Sequence, residues 1–200
     1  MTEARVGRLL AACLHQAILD HLPQRIEFYE HWLTSEGLRD GNIGLSPMIA
    51  VLGFLRTEGD AYDRVVSRAG QLAAEWTVTS LSGFERRMIT SLPRPFRARM
   101  ALRVAARIVR SICSASKASS RVRRRTARFT VKSSLFCDVR EHQAAPLCGF
   151  YRAVAAETLA GLGVPAVGRV DNCHAMSGGS CVITLELFGA RSAADPAIAA

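Results

Sequence analysis

Residues 128–188, RFTVKSSLFCDVREHQAAPLCGFYRAVAAETLAGLGVPAVGRVDNCHAMSGGSCVITLELF, decide the fold of this 200-residue chain. The stretch opens with an alternation that puts Phe129, Val131 and Leu135 apart from their polar neighbours, which predicts a half-buried strand. Apolar residues then recur at helical spacing over residues 146–161. Two further strand-like runs, VPAVGRVDN and SCVITLELF, are joined by HAMSGG, whose adjacent glycines permit a turn. The order strand, helix, strand, strand predicts a helix laid on a small, mostly antiparallel sheet.

The first half of the chain predicts helices that pack on this sheet. Apolar residues recur there every three or four positions, and Pro or Gly punctuates the segments. The predicted helices cover about residues 3–21, 24–37, 47–56, 61–76 and 96–114. We therefore expect an α+β fold in a single domain, 1–190, made of helical residues 1–116, a flexible basic loop 117–126 and a cysteine-bearing α/β unit 127–190, followed by a disordered tail 191–200.

Hydropathy and cysteine content bear on the compartment. The chain lacks the run of about 18 apolar residues that a membrane-spanning helix requires, and its first residues do not read as a signal peptide. We expect a cytoplasmic protein without a membrane span. In a reducing cytoplasm, cysteines serve as metal ligands, nucleophiles or buried packing residues rather than as a disulfide framework. These options apply to Cys13, Cys113, Cys137, Cys148, Cys173 and Cys181.

The net charge of +9 is concentrated in one part of the chain. Fifteen Lys and Arg and no Asp or Glu lie between Arg86 and Lys132, so the remainder of the chain is net acidic. Such a concentration suits an anionic partner, or it is a solvated helix face followed by a charged loop. No recognisable nucleic-acid-binding motif accompanies it. We therefore favour the solvated face and do not expect nucleic acid as a partner.

Three cysteines fall at the ends of the last predicted elements. Cys148 lies in the first turn of the helix, Cys173 follows one strand and Cys181 begins the next. A tight turn between the two strands brings Cys173 and Cys181 together, and Cys148 can approach the same edge. Since zinc takes four tetrahedral ligands, we expect a zinc site here. The fourth ligand is left open among Cys137, His174, Asp171 and a water molecule.

Two other interpretations of these cysteines remain open. The first is plain burial, because cysteine is among the most buried residue types. The second makes Cys148 a catalytic nucleophile, since a helix N-terminus lowers the pKa of a thiol. His142 or His174 would then supply the base.

The pattern of a cysteine at a helix, a long gap, Cys-x-Ala, a glycine and a final cysteine before a strand is matched by Cys148, Cys173, Ala175 and Cys181. In this pattern residues 135–187 resemble the bacterial 4-vinyl reductase domain family. The resemblance implies a small-molecule-binding domain, with cysteines that help to bind zinc beside an apolar pocket. In its sensor branch a glutamate lies three residues before the second cysteine. This chain has Val170 there, which points to Asp171, Cys137 or an open position for the fourth ligand.

The same stretch is also similar to the L-2-amino-thiazoline-4-carboxylic acid hydrolase family, in which a cysteine-bearing helix precedes a Gly-Gly-x-Cys ending. That helix usually begins Cys-x-x-Asp in the family. Here the matching residues are Cys148 to Tyr151, so the acidic group is missing. The resemblance implies a ring-opening hydrolase as the alternative function.

We expect a small-molecule-binding protein with a cysteine-ligated zinc beside an apolar pocket, and a small biosynthetic enzyme as the alternative. An open zinc site would favour catalysis, whereas four protein ligands would favour a structural metal. Relatives of this architecture often dimerise, so a homodimer is expected. The residues predicted to contact the small molecule are Tyr62, Trp76, Tyr151 and Arg140.

Overall fold

The computed structural model describes residues 5–33, 43–139 and 141–188, and it confirms the predicted α+β fold. Within these residues the helices are α1 Arg8–His21, α2 Ile26–Leu33, α3 Leu45–Thr57, α4 Ala61–Ser80, α5 Gly83–Ser91, α6 Arg94–Ile112, α7 Gly149–Gly161 and α8 His174–Ser177. The strands are β1 Arg5–Val6, β2 Ile43–Gly44, β3 Lys117–Arg123, β4 Thr126–Lys132, β5 Ala166–Asn172 and β6 Cys181–Leu187. Two 3₁₀ turns, Pro23–Arg25 and Leu135–Cys137, complete the secondary structure of these ranges.

Four strands form an antiparallel sheet in the order β3-β4-β6-β5. The last strand in sequence, β6, therefore occupies an interior position and hydrogen-bonds to β4 on one side and to β5 on the other. The strands β1 and β2 pair separately. Val6 also bridges to Cys113, which ties the start of the described chain to the end of α6.

The helix α7 lies between the sheet and α4, and it contacts both β5 and β6. Gly70 of α4 permits this close approach, because a Cβ at that position would overlap the carbonyl oxygen of Phe150 and lie 2.9 Å from Cβ of Ala153. One continuous apolar core joins α1, α4, α6 and α7 to the sheet. The helical half thus covers one face of the sheet, as its patterning predicts.

The two faces of the sheet are named here by what they contact. The inner face, turned to the core, buries Ala127, Phe129, Val131, Cys181, Ile183 and Leu185. The outer face carries the alternate residues, of which Arg121, Arg128, Lys132 and Arg169 are exposed. The alternation follows from the two-residue period of a strand.

The predicted flexible loop 117–126 is wrong, because residues 117–123 form β3. The strand pairs with β4 over its whole length, from Lys117 opposite Lys132 to Arg123 opposite Thr126, and a two-residue turn joins the strands. The small and charged residues suggested a loop, but Ala118 and Val122 alternate with them and pack against the core. Sheet pairing and contact with α6 therefore outweigh the composition.

The predicted helices 47–56, 61–76 and 96–114 agree with α3, α4 and α6 within a few residues, whereas α5 is absent from the prediction. The HAMSGG connection contains the single-turn helix α8 before Gly178 and Gly179, which both have positive φ (74° and 78°). The predicted tail 191–200, Arg140 and part of the predicted helix 24–37 lie outside the described residues. Among the helices that are described, none is long and apolar enough to cross a membrane.

Candidate metal centre

Four cysteines from four different elements meet beside the inner face of the sheet. Cys137 ends the 3₁₀ turn after β4, and Cys148 is the residue before α7. Cys173 links β5 to α8, and Cys181 is the first residue of β6. All four side chains are buried, with 0–1 % of their surface exposed. We call these residues the cysteine cluster.

Local structure explains how Cys137 reaches the other three. The hydroxyl of Ser134 accepts a hydrogen bond of 3.3 Å from the backbone N–H of Cys137, which closes the 3₁₀ turn. Phe136, inside that turn, stacks on Phe150 of α7 with ring centroids 4.7 Å apart. The stacking fixes the turn against the first residues of α7, next to Cys148.

The distances between sulfur atoms fit a bound metal better than a disulfide. The Sγ atom of Cys137 lies 3.4 Å from that of Cys173 and 3.4 Å from that of Cys181. All four Sγ atoms lie within 4.8 Å of one another, and no disulfide links them. A tetrahedral zinc ion with Zn–S bonds of about 2.3 Å has sulfur atoms about 3.8 Å apart along each edge. The cluster needs only small shifts to reach that geometry.

Backbone N–H groups point at two of the sulfur atoms. The N–H of Leu147 donates to Sγ of Cys173 at 3.4 Å, and the N–H of His174 donates to Cys181. The carbonyl of Leu147 in turn accepts a hydrogen bond of 3.1 Å from the hydroxyl of Tyr62. Such outer contacts orient ligands and stabilise negative charge on sulfur.

Contacts among the thiols lower the pKa of two of them and raise that of the others. Hydrogen bonding to Cys137 lowers the pKa of Cys173 and of Cys181, and the two N–H donors act in the same direction. Hydrogen bonding to Cys137, Cys173 and Cys181, together with burial, raises the pKa of Cys148. A helix N-terminus predicts the opposite shift for Cys148. Two sulfur atoms thus favour the thiolate while the others hold protons, which a cation would displace.

One cation lies close to the cluster. Arg56 of α3 donates from a guanidinium nitrogen to the carbonyl of Phe136 at 3.1 Å, next to Cys137. Its Nε is buried and has no hydrogen-bond partner among the described residues. Four thiolates around a divalent ion carry a net charge of −2, so a guanidinium at this position is electrostatically favourable.

A cavity of about 240 Å³ adjoins the cluster. Two of its lining residues, Asp138 and His174, are the chain neighbours of Cys137 and Cys173. The lining mixes apolar, hydroxyl and ionisable groups, namely Leu45, Cys113, Ala115, Ser133, Ser134, Leu135, Asp138 and His174. Asp138 and the two serines were not predicted from the sequence, and Cys113 was considered there only as one of the six cysteines. Ser133, Ser134 and Asp138 lie within four residues of Cys137 in the sequence, so proximity to a predicted ligand could have indicated them. Cys113 is distant in sequence and had no such signal.

The other predicted site residues have varied positions. Tyr62 and Tyr151 are buried near the cluster, and the Tyr151 hydroxyl has no hydrogen-bond partner among the described residues. Trp76 is 39 % exposed on α4, and none of these three lines the 240 Å³ cavity. His142 is exposed in the loop before α7, whereas His174 borders the cavity.

The alternative fourth ligand Asp171 lies elsewhere. Its carboxylate pairs with Arg169 at 3.1 Å and accepts a hydrogen bond from the hydroxyl of Thr184, on the outer face of the sheet. Cys13 and Cys113 are also buried but lie outside the cluster. Burial raises the pKa of the Cys13 thiol to about 12, which describes an inert packing residue.

Comparison with solved structures finds proteins of similar fold. The phenol-responsive sensory domain of the transcription activator PoxR, solved with phenol, is similar with a TM-score of 0.52 and 13% identity, over 72% of this chain and 75% of that chain. An H-NOX protein mutant from K. algicida, in an unliganded Fe(II) state, has a TM-score of 0.61 and 11% identity over 93% and 98% of the two chains.

A third similar structure is an H-NOX protein from S. oneidensis in the Fe(II) ligation state, with a TM-score of 0.55 and 11% identity over 92% of this chain and 96% of that chain. At these identities the likeness concerns the fold. No protein-family profile matches the chain, and the curated proteins contain no sequence match to it.

Proposed function

We propose that this chain is a small-molecule-binding sensory domain of the 4-vinyl reductase type, with one zinc ion bound by Cys137, Cys148, Cys173 and Cys181. The closed set of four buried sulfur atoms within 4.8 Å carries the proposal. Four thiolates in a tetrahedron suit zinc or iron, and zinc is the commoner structural ion with this ligand set. The fold shared with the PoxR sensory domain supports the small-molecule role.

In this proposal the metal is structural. Four protein ligands leave no open position, so the ion would join the turn after β4, the start of α7 and the ends of β5 and β6 without activating a water molecule. Binding would replace thiol protons, and it is favoured by the donors that already point at Cys173 and Cys181.

Elemental analysis of the purified protein tests the metal. We expect about one zinc per chain in the unmodified protein, and its loss in Cys137→Ser, Cys148→Ser, Cys173→Ser and Cys181→Ser. The variant Cys13→Ser is the matched control, because it removes an equally buried thiol outside the cluster. A protein without metal, or a metal that survives the four cluster substitutions, would overturn the proposal. Stoichiometric iron instead of zinc would keep the site and change its ion.

The small molecule is expected in the cavity that shares chain neighbours with the cluster. At about 240 Å³ the cavity is smaller than typical drug-binding pockets, so it suits a compound of about one ring. Its serine hydroxyls, Asp138 and His174 offer hydrogen bonds at one side, and Leu45 and Leu135 offer apolar contact. A ligand there would touch residues next to two metal ligands.

A thermal-shift screen of one-ring compounds tests this cavity. Ala115→Phe places a large side chain in the lining, and we expect it to abolish the stabilisation that a binding compound gives. Ala160→Phe, on an exposed position of α7, is the control and should retain binding. Equal binding by both variants would exclude this cavity as the site.

A ring-opening hydrolase remains the second candidate, and one observation favours it: His174 and Asp138 both line the cavity beside the cluster. X-ray absorption on the metal-loaded protein separates the two functions. Four sulfur neighbours support the structural metal, whereas three sulfur atoms and one lighter atom would indicate an open, catalytic position.

The predicted homodimer is tested by light scattering, which should give twice the chain mass of 21.7 kDa.

A further inference from the structure

The strand that replaces the predicted loop gathers basic side chains on one hairpin. Seven of the fifteen Lys and Arg between residues 86 and 132 belong to β3, β4 and their turn, and all seven are exposed. None of them forms an ion pair with an acidic residue in the described part of the chain. We call these residues the basic hairpin: Lys117, Arg121, Arg123, Arg124, Arg125, Arg128 and Lys132.

The basic hairpin is unfavourable for folding in two respects. Lys117 lies opposite Lys132 and Arg121 opposite Arg128 in the strand register, and like charges in directly opposed positions destabilise a sheet. In the turn, Arg124 has a φ of 46°, in the left-handed region where two-residue hairpins usually carry Asn or Gly. Holding a residue with a side chain in this region is unfavourable for the folded state. These basic residues therefore do not serve the stability of the hairpin, which is consistent with a role in binding.

The spacing of the charges indicates an extended anionic partner. Side chains on one face recur about every 6.7 Å along a strand and about 5 Å across to the neighbouring strand. A strand of seven residues therefore extends the charges over roughly 23 Å. A single phosphate or carboxylate group would engage only two or three of them. A polymer of phosphates matches the whole surface.

The surroundings distinguish between polyanions. An anionic lipid surface would attract the same charges, but among the described residues 117–132 no large exposed apolar side chain is present to add insertion into the membrane interface. The same lack leaves no aromatic surface on which unpaired bases could stack. Arginine, which supplies five of the seven charges, binds phosphate through two parallel hydrogen bonds.

We propose that the basic hairpin binds the phosphate backbone of double-stranded nucleic acid without reading its sequence. Hydroxyls of Ser119 and Thr130, which lie opposite each other in the same register as the charges, add hydrogen-bond donors to phosphate. The sequence argued against nucleic acid because no recognition motif is present. Binding to the backbone requires charge and a fitting surface and needs no such motif.

The test is fluorescence anisotropy of a labelled DNA duplex of about 20 base pairs at several salt concentrations. Each neutralised phosphate contributes about −0.9 to the slope of log K against log salt. We expect a slope of about −4 to −6 for the unmodified protein. The variant Arg121→Gln/Arg123→Gln/Arg128→Gln should lose more than about tenfold in affinity and about three phosphate contacts from the slope.

A second triple variant is matched in charge. Arg99→Gln/Arg103→Gln/Arg110→Gln removes three exposed arginines from α6 instead of the hairpin. Its affinity should stay within about threefold of the unmodified protein, because only the distant field changes. Equal losses in both triple variants would overturn the assignment to the hairpin. Binding of phosphatidylserine vesicles without binding of the duplex would overturn nucleic acid as the partner, as would binding of neither.

Arg124→Gly separates a role in binding from a role in the fold. Glycine accepts the left-handed conformation, so thermal stability should stay equal or rise, while the slope should fall by about one phosphate contact. Unchanged duplex binding by this variant would contradict a contact from the turn. Metal content measured on every variant shows whether the cysteine cluster is intact, so failure of this proposal is distinguishable from failure of the proposed zinc site.

Discussion

On the inner face of the sheet Phe129, Val131 and Ile183 are fully buried, whereas on the outer face Arg121, Arg128 and Lys132 are exposed and form no ion pair with the described residues. Consecutive residues of β4 thus alternate between the apolar core and solvent. The inner face is constrained by packing and by the cysteine cluster, so its composition reports on folding. The outer face is exposed and not constrained by packing, so its residue types can reflect solubility or binding.

The largest effect should come from removing the proposed zinc ion. Structural zinc sites have apparent binding free energies of about 10–16 kcal/mol, much of which becomes folding free energy. Treatment with a strong chelator should therefore lower the melting temperature, measured by circular dichroism, more than any single substitution on the outer face. Added zinc should restore it, whereas magnesium should not. A melting temperature that chelation leaves unchanged would mean that the cluster is a packing feature.

The next effect compares neighbours on β4. Phe129→Ala empties a fully buried site and should reduce the free energy of unfolding by about 3–5 kcal/mol. Arg128→Gln changes an exposed residue one position away and should stay within about 0.5 kcal/mol. Urea unfolding followed by fluorescence measures both. Similar losses in the two variants would contradict the division of the sheet into two faces.

A smaller effect concerns the helices that cover the inner face. Gly70→Ala would place Cβ against the carbonyl of Phe150, and separating α4 from α7 should cost about 1–3 kcal/mol. Gly53→Ala in α3 has open space around the new Cβ and should instead stabilise by up to about 1 kcal/mol through helix propensity. Opposite signs in urea unfolding would support the close packing of α4 on α7, and equal signs would argue against it.

The smallest effect should be a gain of stability on the outer face. Lys132→Glu converts the opposed pair with Lys117 from like to unlike charges, which should stabilise the hairpin by about 0.2–1 kcal/mol. The gain should shrink at high salt, because the pair is exposed. Lys132→Gln is the control and should gain less. A loss of stability in the glutamate variant would show that the pair is not repulsive in the folded protein.

These elements also show how far the sequence reaches. Alternation in β4 and helical spacing in α7 predict both elements, because burial on one side leaves a period in the residue pattern. The same logic fails for β3, in which Ala118 and Val122 are small and only half-buried among five polar residues. Hydrogen bonding to β4 determines that β3 is a strand, and the hydrophobic pattern of residues 117–123 does not indicate this pairing.

The candidate site divides in the same way. Cys148, Cys173 and Cys181 lie at the ends of predictable elements, so their convergence follows from the order of the elements. Cys137 lies in an irregular turn whose path depends on the stacking of Phe136 on Phe150, and the sequence leaves it as one option of four. The exposure of Trp76 likewise depends on tertiary packing. Helical spacing places this residue on the apolar side of α4 but does not show which residues at the edge of that side are exposed.

The order of the strands has a consequence for synthesis on the ribosome. Of the four strands in the described sheet, the interior strand β6 is synthesised after the other three, and β5 hydrogen-bonds only to β6 within this sheet. Until residues 181–187 emerge, β5 has no partner in this sheet and the fourth residue of the cysteine cluster is missing. Residues 181–187 therefore complete the described sheet and the cysteine cluster in one event, and every nascent chain that lacks them exposes an unpaired strand edge.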